Sequence, residues 1–120
     1  QVVQHLLIQL ADGVTQLDVA LTQRSADRLQ LAAGKEVLVL IKAPWIRISR
    51  DAAEEDNQLA ATVTTIEPGE QMSEVLMQLA SGETLCATLT NEQLQQLKLQ
   101  PGDAVIASFN AENAIVATLL

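Results

Sequence analysis

"HLLIQLADG", residues 5–13, returns as "EVLMQLASG", residues 74–82. The offset is 69 residues, and Leu7/Leu76, Gln9/Gln78, Leu10/Leu79, Ala11/Ala80 and Gly13/Gly82 are identical pairs. Self-similarity at a fixed spacing is the mark of a duplicated supersecondary unit. Further along, Ala20–Thr22 meets Thr88–Thr90 at an offset of 68, so one residue is gained or lost in between. That offset holds through "RLQLAAGKEV", residues 28–37, against "QLKLQPGDAV", residues 96–105. It carries Lys42-Ala43 onto Asn110-Ala111. The chain is written twice, and the copies divide as residues 1–50 and 51–120.

Each copy reads the same way. An apolar strand turns at Asp12-Gly13 or Ser81-Gly82 and returns as a second strand. A short helical turn follows, where Thr90 and Gln93 have the spacing of a capping box. Gly34 or Pro101-Gly102 then punctuates, and "EVLVLI" or "AVIASF" runs as another strand. "WIRIS" closes the first copy and "NAIVATLL" the second. Short strands with regular turn signals predict an all-β protein with one small barrel per copy, each carrying a short helical turn. The second copy opens with an extra strand, "NQLAATVTTIEPG", after an acidic linker. The first copy has no counterpart, so either its opening strand lies before residue 1 of a longer chain, which is the expectation, or the first barrel borrows that strand from elsewhere. An open barrel would otherwise expose sheet edges.

The composition limits the function. The 120 residues are 48% hydrophobic and carry a formal charge of −8. That charge argues against a surface that grips nucleic-acid phosphates, and it requires any anion site to be local. One cysteine, Cys86, excludes an internal disulfide and reads as a small apolar strand residue; with one histidine, His5, it cannot complete a zinc site. No run approaches the length of a membrane span and no signal peptide is evident, so a cytoplasmic protein is expected. Ser25, His5 and Asp18 could be drawn as a triad, but no nucleophile elbow supports them and no catalytic function is expected.

The copies differ where chemistry could sit. The first holds Thr22, Ser25, Arg28 and Lys42 where the second holds Thr90, Gln93, Gln96 and Asn110. Thr22 and Ser25 bracket the start of a helical turn, where unpaired backbone N–H groups favour an anion. Ser25 and Arg28 are three apart and share a face. Two hydroxyls, a guanidinium and an ammonium make a donor-only set suited to a tetrahedral oxyanion. Singly, each residue has a plainer reading: Thr22 as a helix cap, Arg28 as a solvated charge, Lys42 as a snorkelling edge lysine and Trp45 as core.

"AGKEVLVLIKAPWI", residues 33–46, resembles the "GxxVxAxxKAxxV" stretch of Mop (TOBE-type) molybdate-binding domains. "DNQLAATVTTIEPG" is similar to a degraded form of their "SARNQLxGTVxxIxxG" opening. The whole chain, with "KAPW" and the closing "FNAENAIVATLL", resembles the C-terminal half of the ModE family of molybdate-dependent transcription regulators. The resemblance implies two tandem OB-like barrels, with no direct protein ligand to a metal ion. It implies molybdate, with tungstate as its analogue, bound at the interface of a homodimer that exchanges strands. It implies DNA contact only through an N-terminal domain outside this chain. The ligands it implies here are Thr22, Ser25, Arg28, Lys42 and the Ala43 backbone N–H, with Trp45 as a reporter of occupancy.

The departures are informative. The serine and arginine of "SARN" for the first copy would lie upstream. In the second copy Glu54-Glu55-Asp56-Asn57 stands there, and its carboxylates should repel an oxyanion, so that copy is expected to be structural. Rival readings of the same fold are a molybdate-storage protein and the regulatory domain of a molybdate importer ATPase. A rival of another class is a dimerisation module without ligand.

Overall fold

A computed structural model describes residues 3–118 and is built almost wholly from strands. The first copy contributes β1 (Val3–Gln9), β2 (Gln16–Thr22), α1 (Gln23–Arg28), β3 (Val37–Ile41), a 3₁₀ turn (Ala43–Trp45) and β4 (Arg47–Ser49). The second contributes β5 (Asn57–Glu67), β6 (Met72–Leu79), β7 (Thr84–Thr90), α2 (Asn91–Leu97), β8 (Ala104–Phe109), a 3₁₀ turn (Ala111–Asn113) and β9 (Ala114–Thr118). The alternation expected of half-buried strands is clear in β5, where Leu59, Ala61 and Val63 point inward. The one-residue change of offset falls in the first hairpin. Asp12 accepts the N–H groups of Val14 and Thr15, both at 2.9 Å, and the Thr15 hydroxyl at 2.6 Å. Those bonds hold Asp12 below the usual carboxylate range, that from the Thr15 hydroxyl weighing most.

The repeat boundary at 50/51 does not divide the sheets. β4, from the first copy, pairs antiparallel with β8 of the second, and β9 returns the exchange by pairing with β3. The exchange is pseudo-symmetric. Leu40 lies opposite Ile115, and adding 68 to Leu40 or subtracting it from Ile115 gives the pair Ser108 and Arg47, which also lie opposite. The 3₁₀ turns follow their strands: the Ala43–Trp45 turn packs on β7 and the Ala111–Asn113 turn on β2. Ile46 and Ile48 therefore join Val63, Val75, Met77, Val105 and Phe109 in one buried cluster that also takes in Leu17 and Val19. Each such side chain contributes about 1.5–3 kcal/mol on full burial.

The sheets differ in completeness. β5 sits between β8 and β6 in a five-stranded sheet of order β4-β8-β5-β6-β7. In the first copy β1 pairs only with β2 and β3 only with β9, and among the described residues no strand lies between β1 and β3. Leu6 and Ile8 are half-buried, whereas their repeat counterparts Val75 and Met77 are 0% exposed.

Both helices end alike by different means. Thr90 and Gln93 form the expected capping box, and Thr22 caps α1. Gln30 and its counterpart Lys98 adopt left-handed backbone, at φ 54° and 51°. A cation then meets the last carbonyls. Lys35 donates to Leu29 O at 2.7 Å, whereas Arg50 donates to Leu97 O at 2.9 Å and Lys98 O at 3.0 Å.

Candidate oxyanion site

Thr22 ends β2 and opens α1. The Ser25 N–H donates to Thr22 Oγ1 at 3.1 Å, and the Thr22 hydroxyl donates to Ser25 Oγ at 3.0 Å. The cap and the candidate ligand are thus one pair of side chains, both half-buried. Arg28 lies one turn on, exposed, and among the described residues it makes no salt bridge. No acidic residue stands in the first turn of α1, whereas α2 carries Glu92 there. The 3₁₀ turns repeat the contrast. The Ala43–Trp45 turn has no acid in its first turn, and the Ala111–Asn113 turn has Glu112. An N-terminal turn without a carboxylate suits an added anion.

Lys42 follows β3 as the residue before the Ala43–Trp45 turn, which Pro44 stiffens. Its side chain is exposed. Trp45 is not core: it is 56% exposed, and Ile46 takes the buried place beside it. Because the closing strands cross over, the Lys42–Ala43 turn is carried to β7. The cleft of about 260 Å³ beside Thr22 is lined instead by Val3, His5, Ala20, Leu21, Asp56, Ala111 and Glu112. The candidate donors thus fall into two groups, Thr22-Ser25-Arg28 and Lys42-Ala43, rather than one pocket within the first copy.

Asp56 and Asn57, which stand at the "SARN" position of the second copy, make hydrogen bonds to distant strands and turns. Asn57 is 4% exposed and clamps β2, accepting the Asp18 N–H at 2.7 Å and donating to Asp18 O at 2.8 Å. Asp56 accepts the Ala111 N–H at 2.8 Å. Asp56 ends the acidic run, whose composition reads as a solvated linker, and Asn57 opens β5. His5 Nδ1 lies 2.9 Å from Asp18 Oδ1 across the first hairpin, while the Ser25 oxygen is engaged by Thr22. Cys86 is half-buried, and burial first, then Glu74 and Glu67, push its thiol above the ordinary 9.0. No cluster of three metal-ligating side chains occurs among the described residues.

The TOBE domain model matches this sequence twice, at residues 2–48 and 53–116. The chain belongs to the TOBE-domain family. The two matches correspond to the two copies. The chain is 55% identical to the transcriptional regulator ModE of Yersinia pestis over 99% of its length and 46% of that protein's. It is 49% identical to the DNA-binding transcriptional dual regulator ModE of Escherichia coli K12, over 97% of its length and 45% of that protein's. The chain spans about half the length of these regulators. Its fold matches the cytoplasmic molybdate-binding protein ModG in a molybdate-bound crystal form, with a TM-score of 0.93 and 36% identity. That match covers 99% of this chain and 86% of ModG. The relatives of this TOBE chain are thus regulators and molybdate-binding proteins, and no helix among its described residues is long and apolar enough to cross a membrane.

Proposed function

We propose that this chain is the molybdate-sensing part of a transcription regulator. It acts as a cytoplasmic homodimer that passes occupancy to a DNA-binding domain N-terminal to it. The observation that carries the reading is the likeness to ModE regulators over nearly the whole chain, at 49–55% identity. The donor chemistry supports it. Molybdate is a tetrahedral dianion, and taking it out of water requires donors on several sides. Thr22 and Ser25 offer hydroxyls, Ala43 an N–H, and Arg28 and Lys42 positive charge, at two turns whose first turn carries no acid.

The division of these donors into two groups gives the dimer its part. The Thr22 turn of one protomer meets the partner subunit's Lys42 and Ala43, and strands exchange between chains. An anion that bridges both groups favours the packing that brings them together, and only that differential affinity moves the equilibrium. No bond is made or broken, so the role is binding and not catalysis. Trp45 stands beside Ala43 and reports occupancy. A fluorescence titration of the dimeric chain with molybdate, with sulfate as control, tests the reading. A saturable change with molybdate alone is expected, and no change with either anion overturns it.

A second reading is favoured by the ModG likeness: a molybdate-binding protein that acts without DNA. It predicts the same titration and no effect of molybdate on DNA affinity in the full-length protein.

A further inference from the structure

The hydrogen bonds around Ala111 distinguish the second copy from the first in a way that charge alone does not. Ala111 is the repeat counterpart of Ala43, and Asn110 that of Lys42. Ala111 is buried, and its N–H donates to Asp56 Oδ2 at 2.8 Å. The Asp56 N–H donates to Asn110 Oδ1 at 3.2 Å, which ties the carboxylate's own backbone to the residue in the lysine position. Among the described residues no side chain or backbone oxygen accepts the Ala43 N–H. The two equivalent donors thus have opposite fates. One is open, beside a lysine; the other is held by a carboxylate of the same chain, beside an asparagine and next to Glu112.

We propose that Asp56 confines oxyanion binding to the first copy by taking, with its own carboxylate, the backbone donor that the first copy offers to the ligand. The proposal rests on the reading of the first copy as an oxyanion site. Its physical basis is occupancy as well as repulsion. A second dianion would have to displace an intramolecular charge-assisted hydrogen bond, whose carboxylate is tethered at high effective concentration, and then sit against that displaced charge. The chain would therefore take up one oxyanion where its duplication suggests two. Asn110 completes the arrangement, because a lysine there would supply the counter-charge that the second copy lacks.

The test follows the Ala43 and Ala111 amide signals of ¹⁵N-labelled chain during a molybdate titration, with stoichiometry from calorimetry. In the unaltered chain Ala43 is expected to shift and Ala111 to stay. The double variant Asp56→Ser, Asn110→Lys is expected to gain one equivalent per chain, with Ala111 now shifting. A shift at Ala111 in the unaltered chain overturns the proposal, and so does a folded double variant that gains nothing. If the double variant fails to fold, the unaltered chain's Ala111 signal decides. If the unaltered chain takes up no molybdate, the sensing function fails separately. A gain at Ala111 in the double variant then still supports the role of Asp56, and no gain overturns it.

Discussion

Arg50 is held by Asp103 at 2.9 Å while it caps the last carbonyls of α2, so the end of the first copy fastens the second copy's helix. The Arg50 hydrogen bond first, and the Gln100 N–H second, keep the Asp103 carboxyl below its ordinary 3.8. A carboxylate depressed in the folded state contributes stability above its unfolded pKa and loses it as pH falls through the folded value. Urea melts should therefore show an acid limb that begins near pH 4 and steepens below it. Asp103→Asn should flatten that limb by lowering stability at neutral pH, with the variant and the unaltered chain converging in acid. Arg50→Ala should cost about 1 kcal/mol at pH 7, the size of a few exposed hydrogen bonds lost together. An acid limb unchanged in Asp103→Asn would remove Asp103 from the account.

The crossed closing strands make a distinct prediction about Ile48. Its neighbours are those of the second copy, since β4 pairs with β8 and Ile48 faces Ala107 in register. Ile48→Ala should destabilise the chain by about 2–5 kcal/mol, as for other buried isoleucines. Its backbone shift changes should concentrate in β8, although β3 is far closer in sequence. Changes concentrated in β3 would mean that each copy closes on itself.

Amide exchange should separate the two copies. β5 is bonded on both sides, to β6 and β8, whereas β1 and β3 are each bonded on one side only. Local opening is easier where apolar cover is thin and backbone bonds are exposed. The amides of Leu6, Ile8, Val37 and Val39 should exchange at least tenfold faster than those of Val63, Val75, Met77 and Val105. Equal protection in the isolated chain would show that the first copy's sheets are closed by pairing beyond that described.

Much of this fold was legible because its signals are local. The duplicated hairpins announce themselves at Gly13 and Gly82, and the helix start at Thr90 with Gln93. The crossover was not legible. "WIRIS" and "NAIVATLL" alternate well enough to close either barrel, and the choice depends on where a three-residue turn sends the chain. That choice also decided the site: the copy asymmetry pointed to Thr22, Ser25, Arg28 and Lys42 by type, while their separation into two groups follows from long-range pairing. What Asp56 and Asn57 bind was hidden for the same reason. Their partners, Ala111 and Asp18, lie 55 and 39 residues away. The plainer reading of Trp45 as core does not hold, because the 3₁₀ turn gives the inward place to Ile46.

The separation of cap and charge lets the proposed ligands be told apart. Thr22 caps α1 and is a ligand in the proposed site, so Thr22→Ala should lose on two counts. Stability should fall by about 1 kcal/mol, the usual worth of an N-cap, and molybdate affinity should fall as well. Thr22→Ser keeps the hydroxyl and should restore most of both. Arg28 is exposed and without a salt-bridge partner among the described residues, so Arg28→Ala should leave the melting curve within about 0.5 kcal/mol. If it contacts the dianion, affinity should drop about tenfold or more, the worth of one charge-assisted hydrogen bond. Lys42→Ala should behave as Arg28→Ala does, and mixing the two variants should settle whether their sites span two chains. In a mixed dimer that places the Arg28 and Lys42 defects on different protomers, one of two interface sites keeps both residues and half the tight binding returns. If each site lies within a single chain, every site in that mixed dimer lacks one charge and no tight binding returns.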